Sequence, residues 1–148
     1  MCDTRVVSRR GPPRCVVARA RRRRVVDDAR RRKLFGEEHE DTLLAANNYA
    51  RGLISLQRDK EAKALMRKTI PVARRVLGDS DDTTLRMRWA YGEALYKVEG
   101  TTLDNLRKAV TTLEDTDRTA RRVLGGAHPL AVGIELHLRN ARMALGNH

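Results

Sequence analysis

The segment Phe35-Gly36-Glu37-Glu38-His39-Glu40-Asp41-Thr42-Leu43 returns forty-two residues later as Leu77-Gly78-Asp79-Ser80-Asp81-Asp82-Thr83-Thr84-Leu85, and Tyr49 and Leu53 recur at the same offset as Tyr91 and Leu95. A fixed period of this length means that one supersecondary unit is copied. A unit too small to bury its own apolar face must stack on its neighbours. A third, looser copy starts at Leu124-Gly125-Gly126-Ala127-His128-Pro129, forty-seven residues after the second, so the second unit carries five extra residues. Helical patterning runs from Leu85 towards Val98, stops at Glu99-Gly100-Thr101-Thr102 and resumes at Leu103, which assigns the insertion to the loop inside that unit.

Between the copies the apolar residues keep a helical period. Leu43, Ala46, Ala50, Leu53 and Leu56 stripe a first helix, and Ala62, Leu65, Met66, Thr69, Ile70, Ala73 and Leu77 stripe a second, with Gln57-Arg58-Asp59 as the turn. Pro71 lies deep in that second helix, where the missing N–H and the ring predict a kink or a break. The next unit repeats the plan with Leu85, Trp89 or Arg88, Gly92 and Leu95. Its second helix carries Leu103, Leu106, Ala109, Val110, Leu113, Ala120 and Val123 behind Thr102 as N-cap. A last helix from Pro129 towards Leu145, striped by Ile134, Leu138, Ala141 and Leu145, has no partner and reads as a cap. Gly36, Gly78 and Gly125 each follow an Arg-bearing helix and are expected to close it in the left-handed conformation. Helix-favouring N-terminal chemistry follows each glycine. His39 and His128 therefore read as N-caps, being too far apart in a stack to form a joint site.

These patterns predict an all-α fold, a short α-solenoid of antiparallel helical hairpins carrying a basic N-terminal arm. The expected divisions are a disordered basic lead at 1–18, a basic helix at 19–35 left from a preceding repeat, repeats at 36–77 and 78–124, and a capping helix at 125–148. With one Trp, one Phe and three Tyr, the core must be built from aliphatic residues. Two hairpins and a cap sit near the lower size limit for such a stack, which leaves self-association open.

A net charge of +12 points to nucleic acid until it is located along the chain. Residues 1–33 hold thirteen Arg or Lys against three Asp, and residues 34–148 hold eighteen against sixteen acids, so the repeats are nearly neutral. The basic patch Arg21, Arg22, Arg23, Arg24, Arg30, Arg31, Arg32 and Lys33 supports a second reading, in which the arm binds nucleic acid or an anionic surface. It lacks the interleaved aromatics on which single-strand binders stack bases. Cys2 and Cys15 fit no zinc spacing and read as free thiols. No stretch approaches the roughly 18 apolar residues of a membrane span, and no apolar leader follows Met1, so a cytoplasmic protein is expected. The Arg-rich N-terminus keeps a nuclear or organellar destination open.

Gly36-Glu37-Glu38-His39-Glu40-Asp41-Thr42-Leu43-Leu44-Ala45-Ala46-Asn47-Asn48-Tyr49-Ala50, followed by Lys60-Glu61-Ala62 and Ala73-Arg74-Arg75-Val76-Leu77-Gly78, resembles the tetratricopeptide repeats of the kinesin light chain type. The resemblance covers residues 34–98 well and 103–145 loosely. It implies a superhelix whose first helices line a concave groove that binds a peptide or partner protein. It does not extend to motor function, because no sustained heptad coiled coil is present. Carried over position by position, the partner-binding residues would be Asn47, Arg51 and Ile54, then Arg86, Trp89, Glu93 and Lys97. Trp89 reads equally as a ligand anchor and as packing between hairpins. No catalytic, metal-ligating or cofactor motif accompanies them, so the expectation is a non-enzymatic module without a cofactor.

Overall fold

Four of the five described helices begin where the sequence supplies a side-chain cap, and the second begins after Arg58 without one. The computed structural model describes residue 36 and residues 38–148, folded into α1 (Glu40–Ser55), α2 (Asp59–Leu77), α3 (Asp82–Lys97), α4 (Leu103–Leu124) and α5 (Pro129–Gly146). The expectations placed on the arm, on Cys2 and Cys15, on the helix at 19–35 and on the basic patch lie outside the described residues. His39 Nδ1 accepts from Asp41 N at 3.1 Å, and His128 Nδ1 accepts from Leu130 N at 3.1 Å. Asp81 accepts from Thr83 N at 2.8 Å, and the Thr102 hydroxyl accepts from Asn105 N at 3.2 Å. The two histidines are therefore helix starts, each satisfying one of the first-turn N–H groups that have no partner within the helix.

The connector glycines differ from expectation in an informative way. Gly78 has φ +89° and ψ 164°, and Gly125 has φ +88° and ψ 154°. This is extended backbone at positive φ, a region essentially closed to residues with a Cβ, and not the left-handed helical cap. Each glycine still donates its N–H into the helix it ends, Gly78 to Arg74 O at 3.1 Å and Gly125 to Arg121 O at 3.0 Å. The chain then swings straight out to the next N-cap. The left-handed cap occurs instead in the tight α1–α2 turn at Gln57, with φ 58°. There Arg58 N bonds to Leu53 O at 2.9 Å and Gln57 N to Ile54 O at 3.0 Å, the paired bonds of a Schellman motif.

The five extra residues divide between two places. The α3–α4 loop has five residues against three in the α1–α2 turn, and α4 has 22 residues against 19 in α2, while α1 and α3 both have 16. The inner loop is thus only part of the lengthening. Pro71 does not break α2, which stays helical from Asp59 to Leu77 around it.

The helices form two layers. Each is antiparallel to its sequence neighbour, α1 packs on α3 and α3 on α5, whereas α2 and α4 have no backbone contact and are bridged by Lys63 Nζ donating to Asn105 Oδ1 at 3.4 Å. The first helices, whose members touch, form the inner layer. Leu43, Leu53, Met66, Leu85, Leu95, Leu106, Leu113 and Ile134 are fully buried between the layers, spaced by buried alanines that let the helices approach. At one crossing even alanine is too large: a Cβ on Gly92 would lie 2.6 Å from Leu113 Cγ. Leu56, Leu103 and Val123, expected in the core stripes, are more than a third exposed at helix ends. On α5 the positions matching Ala50/Gly92 and Leu53/Leu95 carry Arg139 and Arg142, although Val132, Leu136 and Met143 remain exposed on the same helix.

Candidate functional site

Three first helices converge on one carboxylate. Trp89, Glu93 and Lys97 stand four residues apart on α3 and so share a face. Glu93 is 6% exposed. A buried charge of this kind persists only with partners, and it has three: Lys97 Nζ at 2.5 Å on its own helix, Arg51 Nη1 at 3.5 Å from α1, and His137 Nε2 at 3.9 Å from α5. The Arg51 guanidinium also lies over the Trp89 ring, 4.5 Å from its centroid, at once an ion pair and a cation–π contact.

His137 ties the cluster to the last helix. Burial, more than any other cause, lowers its pKa below the ordinary value; Glu93 opposes this, while Lys97 and Arg51 reinforce it. The imidazole is therefore neutral near pH 7. Tyr96 Oη is 2.7 Å from Nδ1, and a neutral ring that accepts this hydroxyl carries its proton on Nε2, on the side of Glu93. Burial pushes the Tyr96 hydroxyl up to about 12, against a hydrogen bond from Asn140 that favours its ionised form. Trp89 meets the His137 ring edge-on at 5.4 Å between centroids. The indole can lie this close to α5 because residue 133 is glycine: a Cβ there would be 2.6 Å from Trp89 Cη2.

Of the seven residues singled out from sequence, Arg51, Trp89, Glu93 and Lys97 are brought together. Asn47 and Ile54 are 4% and 8% exposed, mostly buried in the layer, and Ile54 lines a cavity with Lys97. Arg86 stands near the start of α3, where its Nε donates to Asp82 Oδ2 at 2.6 Å. Asn47 Oδ1 and Trp89 Nε1 are buried without a hydrogen-bond partner among the described residues. His137, Tyr96 and Asn140 were missed. In the repeat frame His137 matches Asn48 and Ala90, so nothing in the other copies marks it.

The inner face thus presents the half-exposed cations Arg51, Arg86 and Lys97 around an aromatic edge, a surface able to take carboxylates and backbone carbonyls. Among the described residues no three His, Cys, Asp or Glu side chains cluster as metal ligands, and no helix is long and apolar enough to cross a membrane. The family model for the tetratricopeptide repeat matches residues 42–82, from the first turn of α1 through α2 to the start of α3. No match is found among curated proteins or among solved structures. Stacked antiparallel hairpins, a glycine connector that stops one helix and starts the next, and this family match together show a tetratricopeptide repeat of the kinesin light chain type over residues 42–82.

Proposed function

We propose that this protein is a non-enzymatic interaction module that holds an extended peptide segment of a partner protein along the inner face of α1, α3 and α5. The observation that carries this reading is the convergence of Arg51 and Lys97 on buried Glu93 from two successive first helices, with the Arg51 guanidinium also over the Trp89 ring. The cluster holds the long cationic side chains in place before any ligand arrives. Preorganised side chains lose little entropy on binding, which is what a peptide site needs. In this reading residues 36–77 and 78–124 are the two repeats. Residues 125–148 cap them, a role supported by Arg139 and Arg142 on the side of α5 where a hairpin partner would otherwise dock.

The test is selection of peptides from a random library on the intact chain, then titration of a selected peptide against variants. Arg51→Gln with Lys97→Gln, which keep hydrogen-bond donors towards Glu93, should weaken binding by about tenfold or more, as expected for loss of charge-assisted hydrogen bonds, measured where circular dichroism shows the variant folded. Undiminished affinity in that variant overturns the inner-face assignment.

A further inference from the structure

On the opposite side of the molecule, where α2 and α4 stand apart, a groove of about 270 Å³ opens with α3 as its floor. Arg67, Ile70, Pro71 and Arg74 line it from one face of α2, Arg88 and Tyr91 from α3, and Thr111, Thr112 and Asp115 from α4. Its volume is just below the range of drug-sized pockets, enough for one small group and too little for a chain.

The arginines here are unusual. Arg88 is half-buried, and neither it nor Arg67 has a hydrogen bond or ion pair with another described residue. Each guanidinium carries five donors, and half-burying those of Arg88 without acceptors is unfavourable, while Arg67 at the exposed rim keeps its donors free for a ligand. Arg74 adds a third cation, tied to Asp79 outside the groove, while Asp115 is half-engaged by Arg118 at 3.6 Å. The pKa of Arg88 is lowered, first by burial and then by the charge of Arg74, with Asp79 and Asp115 opposing. The repeat frame makes the point independently. The position of Arg88 is filled in the first copy by Ala46, which is 1% exposed. Packing between hairpins does not require an arginine there.

We propose that this outer groove binds a single oxyanion of phosphate size, with Arg88 at the floor and Arg67 and Arg74 at the rim. The oxyanion supplies the acceptors that Arg88 and Arg67 lack, and Thr112 adds a hydroxyl. Ile70, Pro71 and Tyr91 form an apolar wall that strengthens the attraction by excluding water. The site is on the other layer from the inner face and does not depend on the peptide reading.

The experiment is an NMR titration of the intact chain with inorganic phosphate and, in a second arm, methyl phosphate, with ionic strength held constant by sodium chloride. Saturable shifts of the Arg88 and Thr112 amides are expected. Arg88→Gln and, separately, the exposed Arg67→Gln should each weaken binding by about tenfold. Arg139→Gln, on α5, should leave it unchanged. Tighter binding of methyl phosphate assigns the site to a phosphate ester, and tighter binding of inorganic phosphate to the free ion. Shifts that never saturate, or affinities unchanged in both groove variants, overturn the proposal.

Discussion

Gly92→Ala sets two effects of known sign against each other. Gly92 is in the interior of α3, where replacing glycine by alanine ordinarily stabilises a helix by about 1 kcal/mol. Here the new methyl would lie 2.6 Å from Leu113 Cγ, 2.7 Å from Cδ2 and 3.2 Å from Cδ1. Leu113 is fully buried and cannot swing away into solvent. Overpacking of this kind costs about 1–3 kcal/mol, so the variant should be less stable by about 1–2 kcal/mol once the propensity gain is subtracted. The first repeat shows the remedy. Counted from the connector glycines, Gly92 matches Ala50 and Leu113 matches Met66, so an unbranched side chain faces alanine in one copy and a branched one faces glycine in the other. Leu113→Met alone should cost less than about 1.5 kcal/mol, and Gly92→Ala with Leu113→Met should recover at least wild-type stability. Urea unfolding followed by circular dichroism measures all four proteins. The reasoning is refuted if Gly92→Ala alone is stabilising, or if the double variant equals the sum of the singles within about 0.5 kcal/mol.

Two further outcomes follow from the backbone and from the buried cluster. Gly125→Ala should destabilise by about 1–3 kcal/mol in the same assay although nothing lies within 4 Å of the added Cβ, because the cost is in φ and ψ alone; a neutral result would mean that the connector relaxes. For His137 the folded pKa is below the ordinary value of 6.5, so the unfolded chain binds the proton more readily. Stability should therefore fall as pH drops through that value, with Glu93 partly offsetting the loss and Arg51 and Lys97 adding to it. His137→Gln should flatten the pH dependence, and an unchanged slope would count against the burial argument.

Much of the architecture was legible because it is periodic. The connector carries its own chemistry, so His39 and His128 could be read as helix starts from their place after glycine, and the hairpins followed from apolar spacing. What escaped were features that depend on angles or on a third helix. Sequence marks Gly78 and Gly125 as positions needing positive φ but does not say which ψ they take, and only ψ separates a left-handed cap from an extended turn. Gln57, by contrast, takes the left-handed cap with no glycine to announce it. Asn47 and Ile54 were assigned to the groove from family position, and sequence does not show that packing buries most of both. Arg51, Trp89, Glu93 and Lys97 were named together, but the reason they cohere, His137 on α5 with Tyr96 and Asn140 behind it, crosses from one copy to the next at positions the repeat does not share.

The contact of α1 with α3 and α3 with α5, against the separation of α2 from α4, has a mechanical consequence. Because α2 also packs on α3 and α4 on α5, each hairpin turns about the first helix of the next, which is the pin, while the edge between α2 and α4 stays open. A small change of angle between hairpins barely alters the spacing at the pins, but it is multiplied by the width of a hairpin at the far edge. Whatever occupies the gap between α2 and α4 therefore acts as a wedge at the long end of the lever, where weak forces have the most authority over how tightly the molecule bends.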